Sequence, residues 1–389
     1  MRVVPWIVFA AMTAGFVSPS KADDENLAGQ NPEATLQWKP LAFADLDGWR
    51  ETDPGPALDA FKATCGSSQD QIRLSDACIA AEALRAGNSN EIRAFFETHF
   101  KPFAAVQDGA ERKGFFTGYF EPLVAASRHR TKGFMVPLYR RPTELVDMRT
   151  VSPPPGWDAE FSYARKTEDG LIPFPDRAAI EAGYLDGRGL EIAFLESRID
   201  AFFIHVQGSA RLAMTDGTQM RVTFSAKNGH PYTSIGRRLV DRGVVSRDEM
   251  TMSVLRRWLQ ENPDAGRQLM QENASYIFFD VADDLGKTDG PIGAAGVPLR
   301  ERASLAIDHR FHAYGLPIWI DIDEAPTGSP WRGHRGLTIA QDTGSAIRGP
   351  TRADLFMGMG DAAGRLAGEI KHGGRFVVFR PRNRIDDGG

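Results

Sequence analysis

Cysteine is nearly absent from this sequence: Cys65 and Cys78 are the only two in 389 residues. Two thiols are too few for a cysteine-based metal centre, and no histidine has the spacing to complete one. Both lie in TCGSSQDQIRLSDAC, and in an exported chain such a close, even pair is expected to form one disulfide, two buried thiols being the alternative. An excess of basic charge is missing too. Lys and Arg number 46 against 51 Asp and Glu, for a net charge of −5. No global field therefore favours nucleic acid or anionic lipid, although a local basic groove stays open. Long apolar runs are confined to the N-terminus. There Val3–Val17, preceded by Arg2, is too short to span a bilayer comfortably, and Ser20 and Ala22 offer small side chains before a cut that would start the mature chain at Asp23. Residues 1–22 thus read as a secretory signal peptide, which makes the chain periplasmic. No cysteine lies near the cut to carry a lipid, so neither a lipoprotein anchor nor a transmembrane anchor is expected, while association with the outer membrane stays open. Losing Arg2 and Lys21 takes the charge from −5 to −7.

Glycine (39) and proline (24) are plentiful, which suits a β-rich architecture with many turns. After a polar stretch to about Pro40, residues 57–100 look helical. SDACIAAEAL opens with Ser75 and Asp76 in capping positions, and NEIRAFFETHFKPF repeats apolar residues at helical spacing. At Lys113–Ser127 the texture changes to aromatic and β-branched, with Gly118 and Pro122 as breakers: strand and turn. AFFIHVQGSARLAM and QMRVTFSAKNG read as strand, turn and strand, which places His205 on a buried strand as a core histidine. Ser246–Asn273 returns to helix, with Ser246 and Glu249 as a capping box. The remainder is β-like. A β-domain inserted into another domain explains this alternation better than two consecutive domains.

The stretch AQDTGSAIRG carries Asp342 in the Asp-Thr-Gly-Ser form familiar from aspartic proteases. Such proteases need two carboxylates sharing one proton, hence two motifs in one chain or a much shorter dimeric chain. Here the motif occurs once, after the polar Gln341, and the protease reading is set aside. Two further carboxylates lie in similar settings, Asp308 in LAIDHR and Asp354 in TRADLFMGMG. His309 and His312 have an H-x-x-H spacing but no carboxylate partner on a recognised helix, so no metal site is expected.

With TGYFEP, FFIHVQGSARL, KNGHPYTSIG, NASYIFF, GAAGVPLRERASLAID, AQDTGSAIRG and RADLFMGMGDAAGRLAGEIKHGGRFVVF in that order, the sequence resembles the membrane-bound lytic murein transglycosylase A (MltA) family from about Ala57 to Pro381. The C-terminal part of that family is a three-aspartate (3D) domain. The resemblance implies a mainly β fold with flanking helices: a double-psi β-barrel domain carrying an inserted smaller β-domain, with a glycan groove between them. The expected divisions are residues 23–121 (helical segment and first part of the barrel), 122–268 (inserted β-domain and following helices) and 269–389 (rest of the barrel). The activity implied is cleavage of the β-1,4 bond between N-acetylmuramic acid and N-acetylglucosamine in peptidoglycan, leaving a 1,6-anhydro end. No cofactor is implied. Ser345 and Arg348 stand where Gly and Lys are common, and the family's best-known members begin with a lipid-carrying cysteine that this chain lacks.

The family's catalytic aspartate matches Asp342. Hydrolytic glycosidases generally need two carboxylates, but here the nucleophile is the substrate's own C6 hydroxyl. A tethered, well-oriented nucleophile has an effective molarity of roughly 10⁵ M or more, so one carboxyl suffices as acid and then base. It must enter protonated, which burial and nearby negative charge favour. Asp308 and Asp354 match the family's other two aspartates and are expected to shape that setting. Gly344 and Gly349 would let the backbone pass close to the sugar. For glycan contacts the candidates are Thr117, Tyr119 and Glu121, then Gln207, Ser209, Lys227 and Tyr232, because pyranose rings suit an aromatic face with amides and hydroxyls. The partner expected is the peptidoglycan strand, with cell-wall synthesis or division machinery as possible recruiters and no nucleic acid. Two rival readings are a water-using glycoside hydrolase and a non-catalytic wall-binding protein.

Overall fold

Local signals set the helices of the N-terminal part. The computed structural model describes residues 36–382 apart from 68–70, 85–86, 283–285, 287–288 and 326–328, so the signal-peptide reading lies outside the described residues. Helix α1 (Gly55–Cys65) has Pro56 in its first turn, where a missing N–H costs nothing. It is joined to α2 (Gln71–Glu82) by the Cys65–Cys78 disulfide. Ser75 and Asp76 therefore lie within α2 rather than capping it, because good helix formers precede them. In α3 (Ser89–His99) the Asn88 side chain accepts from the N–H groups of Asn90 and Glu91, while Ile92, Phe95 and Phe96 turn inward. These helices pack Leu58, Phe61 and Phe96 against Trp319, Ile339 and Phe379 of the main sheet.

Strands β1 (Gln37–Pro40), β2 (Phe100–Gln107) and β3 (Ala110–Glu111) lead into β4 (Gly114–Glu121), after which Pro122 turns the chain into a second unit. That unit begins with β5 (Leu123–Ser127) and β6 (Val136–Tyr139), then a small three-stranded sheet of β7 (Leu145–Asp147), β8 (Tyr163–Thr167) and β9 (Gly170–Pro173). A single helical turn, α4 (Arg177–Ala179), precedes β10 (Glu191–Leu195), α5 (Arg198–Gln207), β11 (Ser209–Met214) and β12 (Gln219–Lys227). Helices α6 (Ile235–Asp241), α7 (Met252–Glu261) and α8 (Pro263–Gln271) follow before β13 (Ile277–Val281). The sheet order is β13-β12-β11-β5-β10-β6, and a bridge from Arg140 to Phe279 brings its two edges together. Since β13 pairs with β12, the second unit extends past residue 268, where sequence reading placed its end.

The chain then returns through β14 (Ser304–Ile307), β15 (Pro317–Ile322), β16 (His334–Asp342), β17 (Arg352–Met359), α9 (Gly360–Ala367) and β18 (Lys371–Pro381). The order β18-β15-β16-β14-β17-β4 closes on itself because β4 also pairs with β18. Closure removes exposed edges and fills the interior with Phe116, Leu305, Ile318, Leu355 and Phe376. The parallel pairings of β14 with β16 and of β17 with β4 are absent from a simple meander and fit the double-psi barrel expected.

Two local expectations are corrected. His205 is buried in the core, but on helix α5, which Ser197 caps and which ends at Gly208 (φ +79°). A run apolar on nearly every residue cannot by periodicity alone distinguish a buried helix from a buried strand. Ser246 and Glu249 do hydrogen-bond each other, yet they close a turn; α7 starts later, capped by Thr251.

Candidate active site

Strand register assembles the site. In the closed barrel, Ala306 of β14 lies opposite Asp342 of β16 on one side and Asp354 of β17 on the other. Asp354 in turn lies opposite Thr117 of β4. Side chains alternate along a strand, so Thr117, Tyr119 and Glu121 share one face of β4 while Phe116 fills the barrel. Two carboxylates, a hydroxyl and a phenol thereby converge over the small Ala306.

The carboxyl of Asp342 is held from both sides. Its Oδ2 accepts from the Tyr119 hydroxyl at 2.9 Å, and its Oδ1 from the backbone N–H of Ala294 at 3.0 Å. Burial pushes its pKa up to about 6; hydrogen bonds from the Ala294 and Thr343 backbone and from Tyr119 oppose this, and the neighbouring Asp354 adds to the rise. Burial, then Asp342 itself, raises Tyr119 well above the ordinary phenol value, so it remains an O–H donor. Tyr119 packs against Phe356, with ring centroids 5.3 Å apart, and acts as framework rather than as an open stacking face.

Asp354 is raised by burial and restrained by Arg352 and Thr117. Its Oδ1 accepts from the Thr117 hydroxyl, whose oxygen accepts in turn from Arg352, both at 2.8 Å. Asp308 differs. It is fully enclosed, and although burial pushes its pKa up, the Arg310 guanidinium and the backbone N–H of Gly349 hold it well below the usual carboxylate range. The Gly349 N–H donates to Asp308 Oδ2 at 2.8 Å, and Thr343 Oγ1 donates to the Ile307 carbonyl at 2.8 Å. Both ends of the 343–349 loop are thus pinned to the end of β14, directly after Asp342. Gly349 has φ +113°, a conformation that a side chain would strain, so its glycine serves the turn.

A model of the MltA specific insert domain matches residues 115–280, and one of the 3D domain matches residues 303–380. Membrane-bound lytic murein transglycosylase A of Vibrio cholerae is 33% identical over 279 residues, which cover 70% of this chain and 67% of that protein. The Escherichia coli K12 protein of the same name is 32% identical over 280 residues, covering 70% and 68%. The chain belongs to the membrane-bound lytic murein transglycosylase A family. Among solved structures, a membrane-bound lytic murein transglycosylase from Agrobacterium tumefaciens superposes with a TM-score of 0.80 at 36% identity, covering 90% of this chain and 99% of that one. E. coli MltA with bound chitohexaose superposes with a TM-score of 0.64 at 28% identity, covering 84% and 90%.

The other residues singled out for MltA-type glycan contact occupy diverse places. Glu121 is fully enclosed: its oxygens meet Arg211 Nε and Arg221 Nε at 2.8 Å each, so its carboxylate ties β4 to β11 and β12 rather than facing a groove. That is a correction to its reading as a glycan contact. Gln207, at the end of α5, accepts from the Phe120 N–H at 3.0 Å and also joins the two units. Ser209 is buried at the start of β11. Tyr232 is partly exposed, and burial raises its phenol while nearby Arg177 lowers it. Lys227 reaches across from β12, its Nζ 3.4 Å from Ser345 Oγ on the loop after Asp342.

Sequence reading missed several supports. Gln341 is fully buried; its amide donates to the Ala60 carbonyl and to Thr64 Oγ1, both at 2.8 Å, which locks β16 to α1 just before Asp342. A polar residue in an apolar strand was the available signal. Ala294, which supplies the N–H to Asp342, had no sequence signal of its own. A Cβ on neighbouring Gly293 would come within 2.6 Å of the Gln341 carbonyl, so only glycine lets that loop approach. Among the described residues, no helix is long and apolar enough to cross a membrane.

Proposed function

We infer that this protein is a lytic murein transglycosylase, cleaving the β-1,4 bond between N-acetylmuramic acid and N-acetylglucosamine with Asp342 as the single acid and base. The observation that carries this reading is a carboxyl raised to about 6 by burial, oriented by two donors on opposite oxygens, in a chain of this family. Protonated Asp342 gives its proton to the glucosaminyl O4 as the C1–O4 bond breaks. The C6 hydroxyl of the same muramic acid then bonds to C1 and returns its proton to the Asp342 carboxylate. No water is consumed and the aspartate ends as it began.

A hydrolase would need a second free carboxylate to activate water. Asp308 is enclosed against Arg310, and Asp354 is engaged by Thr117 and Arg352, so they support positioning roles: Asp308 for the following loop, Asp354 for the charge beside Asp342. Thr117 and Tyr119 act as framework, with Lys227, Ser345 and Tyr232 nearer the glycan. The substrate is the peptidoglycan strand, and the N-terminal residues support export to the periplasm.

Digestion of purified peptidoglycan, followed by mass spectrometry of the muropeptides, tests the reading. Anhydro-muramic ends from wild type and none from Asp342→Asn are expected. Reducing ends with added water would establish a hydrolase, and equal activity in the variant would remove Asp342 from the mechanism.

A further inference from the structure

Two cations reach Ser345 on the loop that follows Asp342. Lys227 comes from the inserted unit and is half-buried, its ammonium 3.4 Å from Ser345 Oγ. Arg348 comes from the loop itself, its Nε donating to the Ser345 carbonyl at 3.1 Å. Ser345 follows Asp342 by three positions, on the loop that Asp308 and Ile307 pin down. Neither cation makes an ion pair among the described residues. Arg149, at the edge of the small sheet, lies nearby but is already held by Asp147. Burial, then Arg348, then Arg149 push the Lys227 ammonium down, as expected of a cation crowded by cations.

Arg348 and Ser345 are exposed, but a half-buried ammonium crowded by a like charge costs free energy unless an anion joins it. Asp342 does not fill that role: both its oxygens are engaged by Tyr119 and Ala294, and it must carry its proton to begin the reaction. The sugar rings of a murein strand bring only hydroxyls and acetamides. The carboxylates of the substrate sit on the peptide borne by the lactyl ether of muramic acid. We propose that Lys227 and Arg348, converging on Ser345, form a carboxylate-binding site for the peptide stem of a muramic acid next to the scissile bond. This rests on the transglycosylase reading, and it makes stem peptides tighten binding relative to strands whose muramic acids carry no carboxylate.

The test uses the full chain with Asp342→Asn to prevent turnover, and two soluble glycan preparations, one with intact stem peptides and one stripped by an amidase, with the lactyl carboxyl so freed capped as its methylamide. Dissociation constants are measured at low salt in this parent, in the parent with Lys227→Gln and Arg348→Gln, and in the parent with Lys227→Arg and Arg348→Lys. The parent is expected to bind stem-bearing strands about tenfold more tightly than stripped ones. The neutral pair should abolish that preference, the charge-keeping pair should retain most of it, and added salt should weaken it. Equal binding of both strands by the parent, or a preference that survives in the neutral pair, overturns the proposal. Failure of wild type to yield anhydro ends is scored separately and strikes the reaction assigned to the site, not the charge preference.

Discussion

The hydroxyl of Tyr119 on β4 and Oδ2 of Asp342 on β16 are 2.9 Å apart, although 223 positions separate them in the chain. This bond orients the acid and favours its ionised form. Tyr119→Phe should keep the fold, since the ring still packs on Phe356, yet lower kcat about tenfold, the worth of one hydrogen bond. It should also move the alkaline limb of the pH–rate profile upward, because a donor to the carboxylate is lost. A packing role alone would leave that limb where it is.

Asp342 at about 6 sets the pH dependence. As general acid it acts when protonated, so kcat should fall tenfold per pH unit above about 6. Stability has the same sign. The unfolded carboxyl titrates near 4, so the native state loses relative stability as pH rises from about 4 to 6 and stays penalised above. Asp342→Asn removes that penalty. Thermal melts should show the variant more stable by about 1–2 kcal/mol at pH 7.5, a gain of a few degrees, and no more stable at pH 3.5.

Asp308 has the opposite sign. Its pKa is lowered in the folded state, so its stabilisation is full above the unfolded value and is lost as pH falls below about 4. Asp308→Ala leaves the Gly349 N–H without its acceptor, while the exposed Arg310 turns to water, and should cost about 1–3 kcal/mol. Hydrogen exchange should quicken at 343–349 in Asp308→Asn, with kcat reduced through the loosened loop. Exchange unchanged there would show that Asp308 does not position the loop.

Glu121 joins the two units through Arg211 and Arg221, which are themselves largely buried. Removing its carboxylate takes the anion from two largely buried arginines and leaves them only backbone carbonyls such as that of Asp289, so Glu121→Ala should cost about 3–5 kcal/mol. Chemical denaturation that finds less than 1 kcal/mol would place the carboxylate in solvent.

The Cys65–Cys78 disulfide closes a short loop between α1 and α2. Replacing both cysteines by serine should cost about 3 kcal/mol in the chain-entropy estimate. Because α1 supplies the Ala60 carbonyl and the Thr64 hydroxyl to Gln341, amide protection at the end of β16 should fall as well.

Local rules made much of this legible in the sequence. The helical spacing of Ile92, Phe95 and Phe96 announces α3, and Pro122 marks the turn out of β4. The ordered motifs pointed to the family and singled out Asp342, Asp308 and Asp354. Tertiary structure alone decided what those side chains meet. The barrel closes by pairing β4 with β17 and β18, across more than 200 residues, and no local pattern encodes such a register. That register turned Tyr119 onto Asp342, enclosed Glu121 between two arginines and brought the Ala294 N–H to the acid. It also brought Lys227 to the loop after Asp342. A side chain's type fixes what it can donate or accept, whereas its charge state and its partner depend on burial and on neighbours that only long-range strand pairing supplies.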